Sequence, residues 1–323
     1  MIKVPAHERF LLFGVVLMKN YLLLNSLTLL LTLGALTACS DGSSSPADQV
    51  NNYDETPTCE VGQPYQIVGG QSLALGNILS ESTVMIVSVT RSNHFKLCTG
   101  TLIDDNIVLT AAHCAARGSD ERLLIVFTNS LGCWHDSDKK SYRHVTDQMV
   151  HPDYRFTDEA DLAATASDIA ILKFAGSIPE NYKVRPLPAA NYNPKKAEEL
   201  VFSGYGRAND KNMKKLEGSG TLRFTKSPIR NLVDKFYLGG QFRSVAKTLA
   251  VQQPSSGVCL GDSGGPLYAR NSDRSLTFIG VTSTVGNSGG NRDSIRYCHG
   301  FSLFVDVRAH LDWIQKSIDE LKY

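Results

Sequence analysis

Net charge is the first thing this 323-residue chain lacks: 33 lysines and arginines face 32 aspartates and glutamates, leaving +1 at neutral pH. There is no basic run and no interleaving of aromatic with basic residues, so the electrostatic footprint of a nucleic-acid binder is missing and no nucleic-acid partner is expected. The same balance gives no reason to expect strongly acidic or basic partners. No internal repeat stands out. Asp136 and Asp138 are too few ligands for a metal centre, and neither a metal nor a cofactor is expected. What the chain does have is apolar material: 42% hydrophobic residues is ample for a core.

From Ile67 onward, short apolar-rich stretches are divided by Gly, Asn, Asp and Pro clusters. Examples are Thr83–Val89, Thr101–Leu109, Leu123–Phe127, Asp168–Phe174, Glu199–Phe202, Ser275–Val281 and Leu303–Val307. Many short strands with frequent turns read as an all-β barrel or sandwich. Near the end, Leu311, Ile314, Ile318 and Leu321 recur at helical spacing and form one apolar stripe, expected to dock on the second half of the fold.

The run Gly261-Asp262-Ser263-Gly264-Gly265-Pro266-Leu267 is the most informative in the chain. A serine hydroxyl is a poor nucleophile; it needs a base for its proton and donors for the oxyanion that forms. Flanking glycines let backbone N–H groups approach a reacting carbonyl. His113, in Val108-Leu109-Thr110-Ala111-Ala112-His113-Cys114, is the candidate base. Asp168 precedes the apolar run Ile169 to Phe174, and a carboxylate beside a buried strand needs a partner, which the imidazolium of His113 would be. Asp161 is the nearest rival but lacks an apolar run after it.

These three blocks occur in the order His, Asp, Ser. With Ile67-Val68-Gly69-Gly70 and Cys98-Thr99-Gly100-Thr101-Leu102-Ile103, they resemble the trypsin-like (chymotrypsin) family of serine proteases from Ile67 to the C-terminus. The resemblance implies two six-stranded antiparallel β-barrels with a C-terminal α-helix: residues 67–185, 186–306 and 307–323. It implies that His113 acts as general base and then acid, Asp168 orients it, and Ser263 is the nucleophile. The N–H groups of Gly261 and Ser263 form the oxyanion hole, and protein or peptide is the substrate. It also implies a zymogen, in which cleavage before Ile67 frees an ammonium that pairs with Asp262. Leaving a buried carboxylate unpaired costs roughly 3–5 kcal/mol. Gln66 is not the basic residue that trypsin cuts after, so another activating protease, or self-cleavage, is expected.

Three further departures from the family pattern stand out. Tyr205 in Gly204-Tyr205-Gly206 replaces a frequent tryptophan, His113 and Asp168 are an unusually long 55 residues apart, and the second barrel lacks the cysteines of a common third bridge. A silent homologue acting as an adhesin or binding module, and an esterase or transferase using the same acyl-enzyme, are the alternative functions.

At the base of the specificity pocket, where the family's trypsins carry aspartate, this chain has Gly257, followed by Val258. A lysine or arginine side chain buried there would have no counter-ion. The expected preference is therefore elastase-like, for small to medium aliphatic residues before the cut. Ser283 and the Val285-Gly286 pair would line the opposite wall and pair with substrate backbone. Asp293, in the Gly/Asn/Ser-rich stretch from Asn287 to Arg296, would restore basic specificity if it reached the pocket.

The first residues read as a targeting segment. Lys19 precedes an apolar core from Tyr21 to Leu36, and Leu36-Thr37-Ala38-Cys39 resembles the lipobox of a bacterial lipoprotein signal. Residues 1–38 would be removed (Met18 is a plausible true start), Cys39 would carry lipid, and the polar residues 40–66 would form a tether and pro-segment. A plain secretory signal is the alternative. The expectation is a monomer in the cell envelope, held to the membrane through Cys39, or a secreted one. The other six cysteines suit an oxidising compartment. By resemblance, Cys98 pairs with Cys114 and Cys259 with Cys298. Cys59 and Cys133 are left either to join pro-segment and domain or to stand as free thiols.

Overall fold

Leucine-rich and β-branched segments in the first half of the domain close into a ring. The computed structural model describes residues 71–73, 76–90, 95–115, 118, 120–131, 141–155, 164–208, 219–287 and 297–322, all within the unit Pro57–Tyr323. The expectations for residues 1–66, including Cys39 and Cys59, and those for Ile67, Cys133, Asp136, Asp138, Asp161 and Asp293 lie outside the described residues.

After the short β1 (Gln71–Ser72) come β2 (Thr83–Thr90), β3 (Phe95–Asp104), β4 (Ile107–Thr110), β5 (Glu121–Val126), β6 (Tyr142–Val150) and β7 (Ala170–Phe174). The antiparallel ring runs β2-β3-β4-β7-β6-β5 and is sealed because β2 pairs with both β3 and β5. Closure leaves no unpaired strand edge, and Ile86, Leu102, Ile107, Val108, Ile125 and Ile171 are buried in its core. The segment expected to be one strand, Thr101–Leu109, is two. Its polar Asp104-Asp105-Asn106 turns the chain, with Asp104 Oδ1 accepting from the Asp105 N–H at 2.8 Å.

The second half contains β8 (Glu199–Gly204), β9 (Arg223–Pro228), β10 (Leu232–Val233), β11 (Phe236–Leu238), β12 (Gln241–Arg243), β13 (Thr248–Gln252), β14 (Pro266–Arg270), β15 (Leu276–Gly286) and β16 (Phe301–Asp306). Eight strands form one sheet in the order β1-β9-β8-β14-β15-β16-β13-β10, and β11 and β12 pair separately. Closure expected of two barrels is thus found for the first alone. In the second half β1 occupies one edge and β10 the other, and those edges do not pair among the described residues. β9 escapes a reading by hydrophobic alternation because its inward residues, Arg223, Thr225 and Ser227, are polar.

After β16 the chain makes a 3-10 turn, Val307–His310, where Asp306 Oδ1 accepts from the Arg308 N–H at 3.1 Å, and continues as α1 (Leu311–Lys322). The stripe does form the buried face, through Ile314 and Ile318. It docks elsewhere than expected, however: among the strands, α1 packs chiefly on β6 and β7 of the first barrel. Lys173 Nζ of β7 donates to the Leu321 carbonyl at 2.5 Å, and Lys322 pairs with Asp104 at 2.5 Å. The helix thereby covers apolar surface on the outside of the ring and carries the end of the second half back to the first.

His310, at the start of this helix, is buried. Its Nε2 donates to the Ala166 carbonyl at 2.9 Å, and its ring lies 4.9 Å from that of His151. Burial, then the neighbouring charge of His151, pushes the His310 pKa down to about 4. The unfolded chain binds a proton near pH 6.5 that the folded state refuses until pH 4. Stability is therefore expected to fall as pH drops through that window, by about 2 kcal/mol after allowance for solvent screening. The difference in unfolding free energy between parent and His310→Gln, from urea titrations between pH 7 and 4, checks this: it should shift against the parent as pH falls and stay flat if His310 does not titrate differently on folding.

Candidate active site

Three glycine-rich or polar segments from both halves meet around Ser263. The 3-10 turn Ala112–Cys114 follows β4 and carries His113. Asp168 sits two residues before β7, at the end of the turn Ala164–Ser167, and is buried. β4 and β7 are neighbours in the ring, with Thr110 opposite Ala170, so pairing alone brings the two segments together across 55 residues of chain. Asp168 Oδ1 accepts from the His113 N–H at 2.9 Å and Oδ2 contacts His113 Nδ1 at 2.8 Å.

A third donor comes from the second half. Ser283 Oγ donates to Asp168 Oδ2 at 2.6 Å. The register of β15 against β16 shifts between Thr282 and Thr284, which makes Ser283 the extra residue of a bulge. A bulge re-aims one side chain, and here it turns the hydroxyl, expected on the pocket wall, to the carboxylate. Burial pushes the Asp168 pKa up. The charge of His113 and the bonds from its ring, from Ser283 and from the His113 N–H outweigh that, so the carboxyl lies below its ordinary range.

Ser263 lies on the loop before β14, and the backbone around it is crowded. Its carbonyl accepts from the Thr99 N–H at 2.8 Å, and Thr99 Oγ1 donates to the Gly261 carbonyl at 3.0 Å. Gly264 has φ +81°, and a Cβ there would lie 2.0 Å from Thr110 Oγ1 and 2.2 Å from the Thr99 carbonyl. Only glycine fits. Among the described residues no acceptor takes the N–H of Gly261 or Ser263.

Asp262 turns the other way and is fully buried. It accepts from the Gly206 N–H at 2.7 Å and the Cys259 N–H at 2.8 Å. Gly204 and Gly206 leave room for it; a Cβ on either would lie 2.3–2.5 Å from its carboxyl. Between them Tyr205 is fully buried, and its hydroxyl donates to the Thr128 carbonyl at 2.7 Å and approaches that of Thr83 at 3.3 Å. Tyrosine thus pins the second half to the first barrel. Burial raises the Asp262 pKa to about 7 against the two backbone bonds and the charge of Arg223, which lower it.

Two disulfides brace these segments. Cys98–Cys114 ties β3 to the His113 turn, and Cys259–Cys298 ties the approach to Ser263 to the turn before β16. With both thiols oxidised, the grouping of Cys98, His113 and Cys114 cannot serve as a metal site.

The Gly257–Val258 segment is backed by a residue the sequence did not flag. A Cβ at Gly257 would lie 2.0 Å from Gln253 Cδ and Oε1. Gln253 is buried: its Oε1 accepts from the Val258 N–H at 2.8 Å, and its Nε2 donates to the carbonyls of Val258 and Cys298 at 3.2 and 3.1 Å. Val258 is buried as well. Val285 stands directly opposite Ser302 on β16, and Gly286 opposite Phe301. β14 pairs with β15 only as far as Val281, so β16 flanks Ser283 to Gly286 on one side only.

A model of the trypsin family matches residues 67–314. Fibrinolytic enzyme isozyme C of Lumbricus rubellus is 30% identical over 67% of this chain and 86% of its own length. Chymotrypsin-like elastase family member 1 of Rattus norvegicus is 29% identical over 78% and 90%, and phenoloxidase-activating factor 3 of Holotrichia diomphalia is 25% identical over 80% and 74%. With a closed six-stranded barrel, a C-terminal helix and a family match over most of its length, this chain belongs to the trypsin family and is a serine endopeptidase.

Proposed function

We propose that His113, Asp168 and Ser263 cut peptide bonds through an acyl-enzyme. The observation that carries this is the double grip of Asp168 on His113, at Nδ1 and at the backbone N–H. With Nδ1 committed to the carboxylate, Nε2 must be the base. It takes the proton of Ser263 Oγ as that oxygen attacks the scissile carbonyl carbon. The N–H groups of Gly261 and Ser263 receive the oxyanion. The proton then passes from Nε2 to the leaving amine, and water, activated by the same nitrogen, releases the acyl group.

The chain is made as a zymogen, in which cleavage before Ile67 supplies the ammonium for Asp262. A carboxyl pushed up to about 7 is short of positive charge, and the family match begins at Ile67. Gln66 calls for an activating protease that does not require a basic residue. Labelling with a fluorophosphonate, before and after cleavage at an enteropeptidase sequence inserted ahead of Ile67, tests both claims. Labelling far faster in the cleaved form than in the uncleaved one is expected; equal labelling overturns the switch, and none in either form overturns the triad.

The residue before the cut is small to medium aliphatic. Gln253 presents a neutral, hydrogen-bonded amide behind Gly257, where among the described residues no carboxylate awaits a basic side chain, and the likeness to the rat chymotrypsin-like elastase agrees. Against matched substrates, kcat/KM for alanyl or valyl should exceed that for arginyl by more than about 100-fold. An arginine preference refutes the reading.

The enzyme is exported and held in the cell envelope by lipid on Cys39, with residues 40–66 as tether. Labelled palmitate should enter the parent and not Cys39→Ser. A Cys59–Cys133 bridge keeps the pro-segment attached after activation; its loss on cleavage without reductant, seen by intact mass, would contradict this.

A further inference from the structure

We propose that Arg223 is a positioning residue whose buried guanidinium faces the Asp262 carboxylate and supports the Gly261–Ser263 loop in the chain not yet cleaved before Ile67. The inference rests on the reading of Asp262 as the activation carboxylate and adds to it a resident positive charge.

Geometry places the side chain. Arg223 opens β9 directly opposite Gly204 on β8. Residues directly opposite in an antiparallel pair project to one face, with Cβ atoms about 4.5–5.5 Å apart. A Cβ at Gly204 would lie 2.3 Å from Asp262 Oδ1, so Arg223 leaves β9 on the side where Asp262 lies. It is only 2% exposed, and its Nη1 donates to the Thr221 carbonyl at 2.9 Å, which keeps the head group inside. Arginine holds its charge in every protein environment, so this burial brings a fixed positive charge into the fold. The positive field of Arg223 acts on Asp262, and the negative field of Asp262 acts on Arg223.

The functional consequence runs through two bonds. The Asp262 carboxylate accepts from the N–H of Cys259 and of Gly206, which anchors the loop whose next N–H groups, Gly261 and Ser263, face substrate in the proposed reaction. Positive charge beside Asp262 favours the ionised acceptor. Arg223 supplies some of that charge permanently, and the ammonium of Ile67 supplies the remainder after cleavage. The uncleaved chain therefore retains a low activity that depends on Arg223, whereas the cleaved enzyme depends on it much less.

The test is the fluorophosphonate labelling rate of the full chain carrying the inserted site before Ile67, uncleaved and cleaved, in parent, Arg223→Gln and Arg223→Lys. Arg223→Gln should slow labelling of the uncleaved chain at least tenfold and of the cleaved chain less than threefold, and Arg223→Lys should stay within threefold of parent in both. An equal loss in the two forms, or no loss in either, overturns the proposal while leaving the triad and the Ile67 switch intact. If the parent is unlabelled in both forms, the catalytic reading falls and this inference with it. Should Arg223→Gln fail to fold, adding Asp262→Asn should restore a cooperative melt, since no buried carboxylate then lacks its charge. A double variant that stays unfolded overturns the pairing.

Discussion

Asp168→Asn is expected to lower kcat about 10⁴-fold with little change in KM, the size of effect seen in the type enzyme of this family. An asparagine keeps the volume of the carboxyl but presents an NH₂ and a single acceptor where three donors now converge: the His113 N–H, the His113 ring and the Ser283 hydroxyl. The amide oxygen can satisfy the backbone N–H and leave its NH₂ facing Nδ1. That selects the tautomer with hydrogen on Nε2, which cannot accept the Ser263 proton. Ser283→Ala removes one donor of the three and leaves the tautomer unchanged, so its cost is expected near tenfold in kcat. Steady-state kinetics on one peptide substrate ranks the two. If Asp168→Asn loses less than tenfold, the assignment of Asp168 as orienter of the base is wrong.

Asp262 governs the second large effect, a pH dependence of stability in the uncleaved chain. A folded pKa of about 7 against an ordinary 3.8 means that the folded state keeps a proton which the unfolded chain releases. Stability from this group is full below pH 4 and declines as pH rises to 7, by roughly 4 kcal/mol. His310 contributes the opposite slope between pH 4 and 6.5, so the parent alone would show a muted curve. The difference in unfolding free energy between Asp262→Asn and parent isolates the carboxyl. It should grow in favour of the variant from pH 4 to 7 in the uncleaved chain and vanish, or change sign, once cleavage supplies the Ile67 ammonium. A difference independent of pH would mean that Asp262 is ionised throughout and already fully paired.

The short apolar strands of the first half were legible because they are nearly continuous apolar runs bounded by turn residues, the mark of strands buried on both faces, as β2, β4 and β7 are. β9 was not, since Arg223, Thr225 and Ser227 face inward and invert the usual pattern. The amphipathic stripe of α1 was equally plain, but a stripe states only that one face must be covered. Which surface covers it, here β6 and β7, depends on where β16 releases the chain. Closure of a second barrel was expected by likeness, whereas among the described residues hydrogen bonding forms an eight-stranded sheet with β1 and β10 at its edges.

For the site, local sequence was decisive where chemistry is local. The glycines around Ser263 are demanded by backbone packed against Thr99, Thr110 and Gly206, and such crowding excludes every other residue, so it is written in the chain. The residues that only tertiary structure could nominate act across long separations. Ser283 reaches Asp168 because a bulge turns one hydroxyl. Gln253 matters because Gly257 leaves a space its amide fills, and Arg223 because strand pairing sets it beside Gly204. A serine, a glutamine and an arginine have no distinctive neighbours in sequence. The sequence by itself determined the family, the candidate nucleophile and its partners. The shape of the second sheet, the seat of the helix and the buried polar contacts around Asp168 and Asp262 were decided only when strand register brought distant segments within hydrogen-bonding distance.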